Sequence, residues 1–298
     1  MNRAALYTTI YPGMERFLGE WCRSVNGQGC RDFDVWIGVD NVETATVSSL
    51  LDQQLNVTYV HALAGDTPVS LRCRAMMAMA ARYEAIIFTD SDDILESERV
   101  SVALSGLDAS DVYGCALSLI DVDGQDLGLY FGLIEGEIPD DILPHSNFLG
   151  LSNTAWRSAA LKECLPVPDH CVAMDWLLAT RAWGNGAVIM FDKVIRMRYR
   201  QYGTNIACVI PPFSAEQIIR ATTVVTDHYK MVTDDPGLPA PQRQMLMEAA
   251  ARIKTFSNAI TSSDTLLDRY VTELNKLPPH RLWWLSVAHP ALEDIWNC

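Results

Sequence analysis

The stretch IIFTDSDDIL, residues 86–95, ends an apolar run on Asp90, Asp92 and Asp93. Three carboxylates within four residues repel one another unless a cation, a cationic side chain or water satisfies them. Oxygen donors of this kind suit a hard divalent ion, and magnesium needs only one or two protein carboxylates when phosphate oxygens complete its shell. Other chemically capable residues stand in comparable places. Thr9 and Tyr11 lie at the end of the run AALYTTI, and Asp40 closes FDVWIGV. Arg72 lies within PVSLRCRAMMAMA, Asp175 comes early in a helical stretch, and Arg200 ends the alternating run VIRMRYR.

An aspartate cluster after a hydrophobic strand is common to several chemistries. An EF-hand loop needs an oxygen ligand at its fifth position and Gly at its sixth. Counted from Asp90, those places hold Ile94 and Leu95, so that chemistry is excluded. A phosphatase of the haloacid-dehalogenase type calls for Thr or Val two residues after the second Asp and a later Gly-Asp pair. Here Ile94 takes that place, and no Gly-Asp follows. The plain alternative is a solvated loop capping a helix that begins near Glu96.

The elements that position these residues follow from periodicity. Residues 4–10 read as a strand, and Phe17, Leu18, Trp21, Cys22 and Val25 recur at helical spacing. Residues 33–39 form a second strand, followed by a short helix within VETATVSSLLDQQL and a third strand over 56–63. The Ala-, Met- and Arg-rich stretch 69–83 favours helix and leads to strand 86–89. Strands separated by helices imply parallel pairing through crossovers, hence an α/β sheet covered on both faces. Ligands of such sheets sit beyond the C-terminal strand ends, where Thr9, Tyr11, Asp40 and Asp90 stand.

Beyond about residue 110 the texture changes. Two strand-like runs flank Asp123-Gly124, a hairpin signal that explains Asp121, Asp123 and Asp126 better than calcium does. A loop, short strand and helix start follow over 143–161, then a helix from about Val172 stopped by Gly184 and Gly186. Arg196, Arg198 and Arg200 share one face of an alternating strand, either a grip for a diphosphate or an acidic acceptor, or a solvated face. From Ser214 the pattern is helical over 214–232, 240–260 and 264–276. That tail, with Trp283, Trp284 and Trp296, is a candidate surface for a partner copy, a membrane or the body of the same chain.

The chain has 298 residues, of which 49% are hydrophobic, which suits a globular protein. A net charge of -14 argues against non-specific binding of nucleic acid or anionic lipid, so local cations must hold any phosphate ligand. Eight cysteines without a Cys-x-x-Cys pair read as free thiols of a reducing cytoplasm. The N-terminal run breaks at Pro12-Gly13, too early for a signal core or a membrane span, and the sequon at Asn56 reads as chance.

Taken in order, these pieces resemble glycosyltransferase family 2, inverting enzymes of the GT-A fold that use nucleotide-diphosphate sugars. The likeness runs through most of residues 4–206. It rests on TTIYPGMERFLGEWCRSVNGQ, FDVWIGVD, PVSLRCRAMMAMA, the cluster DSDD, GLSNTAWR, AMDW and YRQYGTN. The resemblance implies a Rossmann-like, mixed but mostly parallel sheet flanked by helices, with a helical C-terminal extension. It implies a donor-binding half over 1–110, an acceptor-binding half of the same domain over 111–212 and a helical region over 213–298.

It implies roles as well. Thr9, Tyr11 and Asp40 would contact the nucleotide base, Arg72 the base or phosphates, and Asp90 the ribose. Asp92 would ligate Mn2+ or Mg2+ on the diphosphate. Arg200, with Gln201 and Asn205, would lie over the donor, and Asp175 would be the base, although Met174 replaces the usual acidic neighbour and Asp169 is an alternative. His145 and His170 flank the presumed acceptor cleft, and Trp156, Trp176 and Trp183 are either sugar platforms or core. The expected partners are a nucleotide sugar and a saccharide or glycolipid acceptor, in the cytoplasm or at the periphery of a membrane, with surface polysaccharide or glycolipid assembly as the setting. Two rivals stand beside this reading. A nucleotidyltransferase carries a Gly-rich N-terminal loop, for which Pro12-Gly13 is too sparse, and a non-catalytic nucleotide or carbohydrate binder has no need of Asp175.

Overall fold

The computed structural model describes residues 2–203 and 205–297; Thr204, part of YRQYGTN, and Cys298 lie outside the described residues. Alternating strands and helices open the chain: β1 (Ala4–Ile10), α1 (Leu18–Asn26), β2 (Phe33–Val39), α2 (Ala45–Leu50), β3 (Val57–His61), α3 (Pro68–Ala80) and β4 (Ala85–Phe88). Every residue of β1, β2 and β4 is buried, as a sheet with both faces covered requires. β1 lies between β2 and β4, with β3 outside β2, and all three pairings are parallel. The C-terminal ends of β1, β2 and β4 therefore form one edge.

The second half extends the same sheet: β5 (Ile94–Leu95), α4 (Arg99–Gly106), β6 (Val112–Ile120), β7 (Asp126–Phe131), α5 (Pro139–Ile142), β8 (Thr154–Arg157), α6 (Ser158–Cys164), α7 (Met174–Gly184) and β9 (Ile189–Arg200). The order is β3-β2-β1-β4-β8-β6-β9-β5, with β7 on β6. β8 reverses direction between β4 and β6, whereas β6 and β9 run parallel. The sheet thus passes unbroken from β4 into the residues after 110. The hairpin of β6 and β7 turns where Asp123-Gly124 predicts, with Asp121 accepting the amides of Asp123 and Gln125 and Gly124 at φ 81°.

One expected start moves. No helix begins near Glu96, because Ile94 and Leu95 pair with Arg198 and Met197 and the Glu96 amide donates to the Arg196 carbonyl. α4 starts three residues later, at Arg99. The closing helices are α8 (Ala215–Thr233), α9 (Ala240–Ser262), α10 (Asp264–Leu274) and, after a short 3-10 turn at Pro290–Leu292, α11 (Glu293–Trp296). They pack on their own chain: Trp283, Trp284 and Trp296 are buried, and His228 of α8 stacks on Trp176 of α7 at 3.8 Å. Among the described residues no helix is long and apolar enough to cross a membrane.

Candidate active site

At the shared strand edge, backbone bonds set the loops. The Asp40 amide donates to Ile10, Thr89 to Tyr7, and the Ser91 hydroxyl to the Thr9 carbonyl, tying the ends of β1, β2 and β4 together. Thr9 contributes through that carbonyl. Its side chain is buried, donating to the Tyr7 hydroxyl at 3.1 Å beside Gly38, where an added Cβ would come within 2.6 Å of the same oxygen. Tyr11 is exposed beyond the edge, and Asp40 is half-buried, accepting from Asn41 at 2.8 Å.

The three clustered carboxylates do not act alike. Asp93 is buried and turned inward, taking the Arg200 amide at 2.8 Å on one oxygen and the Ser152 hydroxyl on the other. Asp90 and Asp92 remain half-buried. Burial, then repulsion from Asp92, pushes the Asp90 carboxyl up to about 7, with Arg72 opposing the shift. Burial likewise raises Asp92, partly offset by a 2.6 Å hydrogen bond from the Tyr202 hydroxyl, and raises Asp93 well above the carboxylate range. A cation beside Asp90 and Asp92 would relieve this strain, and their oxygens suit Mn2+ or Mg2+. Among the described residues no group of three or more His, Cys, Asp or Glu side chains gathers around one point. The oxygen donors that this edge offers to such an ion are the carboxylates of Asp90 and Asp92.

Arg200 is fully buried beneath the cluster. Its guanidinium donates to the carbonyls of Asp92 at 2.7 Å, Asp121 at 3.1 Å and Val122 at 2.9 Å, and to Glu20 at 2.6 Å. It grips the backbone that carries Asp92 instead of facing the cleft. The other two arginines of the stripe are also paired, Arg196 with Glu98 and Asp192 and Arg198 with Glu96, so the stripe is neither a bare solvated face nor a free grip.

α3 starts in a capping box of Thr67 and Ser70, with Pro68 in its first turn, and this places Arg72 one turn in. Among the described residues Arg72 makes no ion pair, and its charge acts on Tyr11, Asp90 and Asp175. Asp175 is the second residue of α7 and half-buried. Burial pushes it up to about 6, while first-turn amides, Arg72 and a 2.9 Å hydrogen bond from Asn147 favour its ionised form. Asp169 and His170 are exposed on the preceding loop, and His145 is exposed on another. Trp156, Trp176 and Trp183 are core.

The structure thus brings together Tyr11, Arg72, Asp90, Asp92 and Asp175, with Asp40 at the end of β2. Asn147, bonded to Asp175, belongs to no motif, and Tyr202, bonded to Asp92, lies within YRQYGTN without a role assigned to it. A polar residue in a loop is not distinguishable from any other until the chain folds.

No family model and no curated protein matches the chain. Solved structures do. S. aureus TarS 1-349 in complex with UDP-GlcNAc aligns over 91% of this chain and 78% of its own, at 17% identity and a TM-score of 0.63. The longer TarS chain is spanned only to 47%. Mannosyltransferase PcManGT from Pyrobaculum calidifontis, in complex with GDP-Man and Mn2+, aligns over 99% and 87% at 13% identity and a TM-score of 0.59. The fold is GT-A-like. At these identities the likeness is one of architecture, and in a GT-A-like sheet the edge formed by β1, β2 and β4 is where a ligand sits.

Proposed function

We propose that this chain is a metal-dependent, inverting glycosyltransferase that moves a sugar from a nucleotide-diphosphate donor to an acceptor hydroxyl. The observation that carries the reading is the meeting of Asp90, Asp92 and Arg72 with Asp175 at the C-terminal edge of a GT-A-like sheet. Residues 1–110 hold the donor in this reading: Tyr11 and Asp40 border the base, Asp90 the ribose, and Arg72 offsets phosphate charge. Thr9 and Arg200 serve it from beneath, through the backbone of the loops they tie down. Bound Mn2+ or Mg2+, held by Asp92 and the diphosphate, supplies Lewis-acid stabilisation of the charge growing on the leaving group.

Asp175 takes the proton of the acceptor hydroxyl as that oxygen bonds to the anomeric carbon. The bond from this carbon to the diphosphate breaks, and its electron pair leaves with the diphosphate. A single displacement of this kind inverts the centre. Support comes from the ligands of the structural neighbours, UDP-GlcNAc in one and GDP-Man with Mn2+ in the other. The acceptor is a saccharide or glycolipid bound by residues 111–212, and the setting is the cytoplasm, in keeping with unpaired thiols at Cys22, Cys30, Cys73, Cys115, Cys164, Cys171 and Cys208.

Calorimetry with UDP and GDP, in Mn2+ or in excess chelator, tests the donor site; equal affinity in both conditions removes the metal from the mechanism. Asp92→Asn should weaken nucleotide binding and turnover together. Asp175→Asn should keep donor binding while transfer falls by roughly 10²-fold or more, the scale of a lost general base. A chain that binds donor yet shows no turnover is a binding protein, whereas turnover that survives Asp175→Asn moves the base to another residue.

A further inference from the structure

We propose that Asn147 is a positioning residue for Asp175, and that residues 281–283 of the C-terminal region hold Asn147 in place. The inference rests on Asp175 acting as the base. Asn147 is fully buried in the loop between α5 and β8. Its side-chain oxygen accepts the Leu149 amide at 3.0 Å, which fixes the amide orientation and leaves its NH2 group to donate to Asp175 Oδ2 at 2.9 Å. A carboxylate engaged in this way keeps one rotational setting, and donation to its charged form favours ionisation.

The main chain of Asn147 is held in turn by the tail. Trp283 forms an isolated antiparallel bridge with it, the Trp283 amide donating to the Asn147 carbonyl at 2.9 Å. The Trp283 ring lies on Gly150, where a Cβ would approach within 2.6 Å, and sits 4.4 Å from Phe131, while its indole N–H donates to the Tyr199 hydroxyl at 3.3 Å. Two residues earlier, the Gly132 amide donates to the Arg281 carbonyl at 2.8 Å, and Arg281 pairs with Glu137. The strap is anchored on the sheet at both ends, so a segment more than a hundred residues from Asp175 in sequence reaches it through one side chain.

The charged and titratable groups facing Asp175 are Arg72 from α3, Asp90 after β4 and Cys171 in the loop before α7. Arg72 and Asp90 act in opposite directions on its ionisation, and Asn147 adds a neutral donor fixed at hydrogen-bond distance.

The test is carboxyl titration by NMR on the full chain labelled with 13C-aspartate, the Asp175 signal being assigned by its loss in Asp175→Asn. The wild-type midpoint is expected near 6, where burial sets it. In Asn147→Ala it should move alkaline by about one pH unit, with UDP affinity in Mn2+ unchanged. Nucleotide release from UDP-GlcNAc or GDP-mannose should slow at pH 6 and recover by pH 8. Trp283→Leu should move the midpoint the same way by less, and Asn147→Ser provides the same readout where the alanine variant does not fold. An unshifted midpoint in a folded Asn147 variant, or a rate loss equal at all pH values, overturns the proposal. Retained turnover in Asp175→Asn strikes instead at the assignment of the base, and the titration separates the two.

Discussion

Arg200→Lys separates a residue that binds the donor from one that holds the loop beneath it. The native guanidinium makes four hydrogen bonds within the protein, three of them to the carbonyls of Asp92, Asp121 and Val122 and one to Glu20. Lysine keeps the charge but cannot reproduce the planar fork. Glu20 and Val122 are exposed enough to turn to water, whereas the half-buried carbonyls of Asp92 and Asp121 cost up to about 1–3 kcal/mol each when left without a donor. With both left unmet, the folded state should lose on the order of 2–4 kcal/mol. The Asp92 loop loosens with it, so nucleotide affinity in Mn2+ should fall alongside stability. Urea unfolding gives the first quantity and calorimetry with UDP or GDP the second. A variant whose stability stays within about 0.5 kcal/mol of wild type while affinity drops tenfold would mean that Arg200 touches the donor directly, and the positioning argument would be wrong.

Two further outcomes follow from the same geometry. Asp90 has its pKa raised in the fold to about 7, so the stability associated with its protonated form is present below the unfolded value of 3.8 and is lost as pH rises through about 7. Asp90→Asn mimics the protonated form, so the advantage of the ligand-free variant over wild type should open above about pH 4, widen through about pH 7, and be larger at pH 8 than at pH 5 by at least about 1 kcal/mol; a difference that stays constant across this range would refute the burial argument, and the shifts of His145, His228, His280 and His289 cancel in the comparison. Gly150→Ala drives a Cβ to within 2.6 Å of the Trp283 ring, which is backed by Phe131, and should cost about 1–3 kcal/mol in thermal or urea unfolding. Gly29→Ala, whose Cβ meets only a carbonyl at 3.7 Å, is the control, and equal behaviour of the two would show that the strap has slack.

Much of this was open to a reading of the sequence, for reasons that are local. Helical and strand periods, the hairpin at Asp123-Gly124 and the stop at Gly184 are properties of neighbouring residues. The acidic cluster was legible because a buried strand cannot end on carboxylates without a reason. Its internal division was not. Asp92 and Asp93 are the same residue type side by side, and only Ser152 and Arg200, some 60 and 107 positions away, turn one inward and leave the other facing the cleft. The amphipathic tail signalled a covered face without saying what covers it. Trp176 supplied the answer through its stack with His228, a ring held neutral by burial that pushes it down to about 3.

The arginine stripe shows how pairing reassigns charge. By period alone Arg196, Arg198 and Arg200 are equivalent candidates for a diphosphate, and each proves to be matched to a carboxylate. Arg74, two residues after Arg72 on α3, is likewise paired, with Asp66. Among the described residues, Arg72 and Arg16 at the cleft have no carboxylate partner; Arg16 lies over the rings of Phe17 and Tyr202, and its charge reaches Asp92. In a chain of net charge -14, an anionic ligand is held at long range by nothing and at short range only by cations whose charge is not already met. The two that qualify flank the carboxylates assigned to the donor, so the anion and its cation are expected to enter together, each offsetting the charge that would exclude the other.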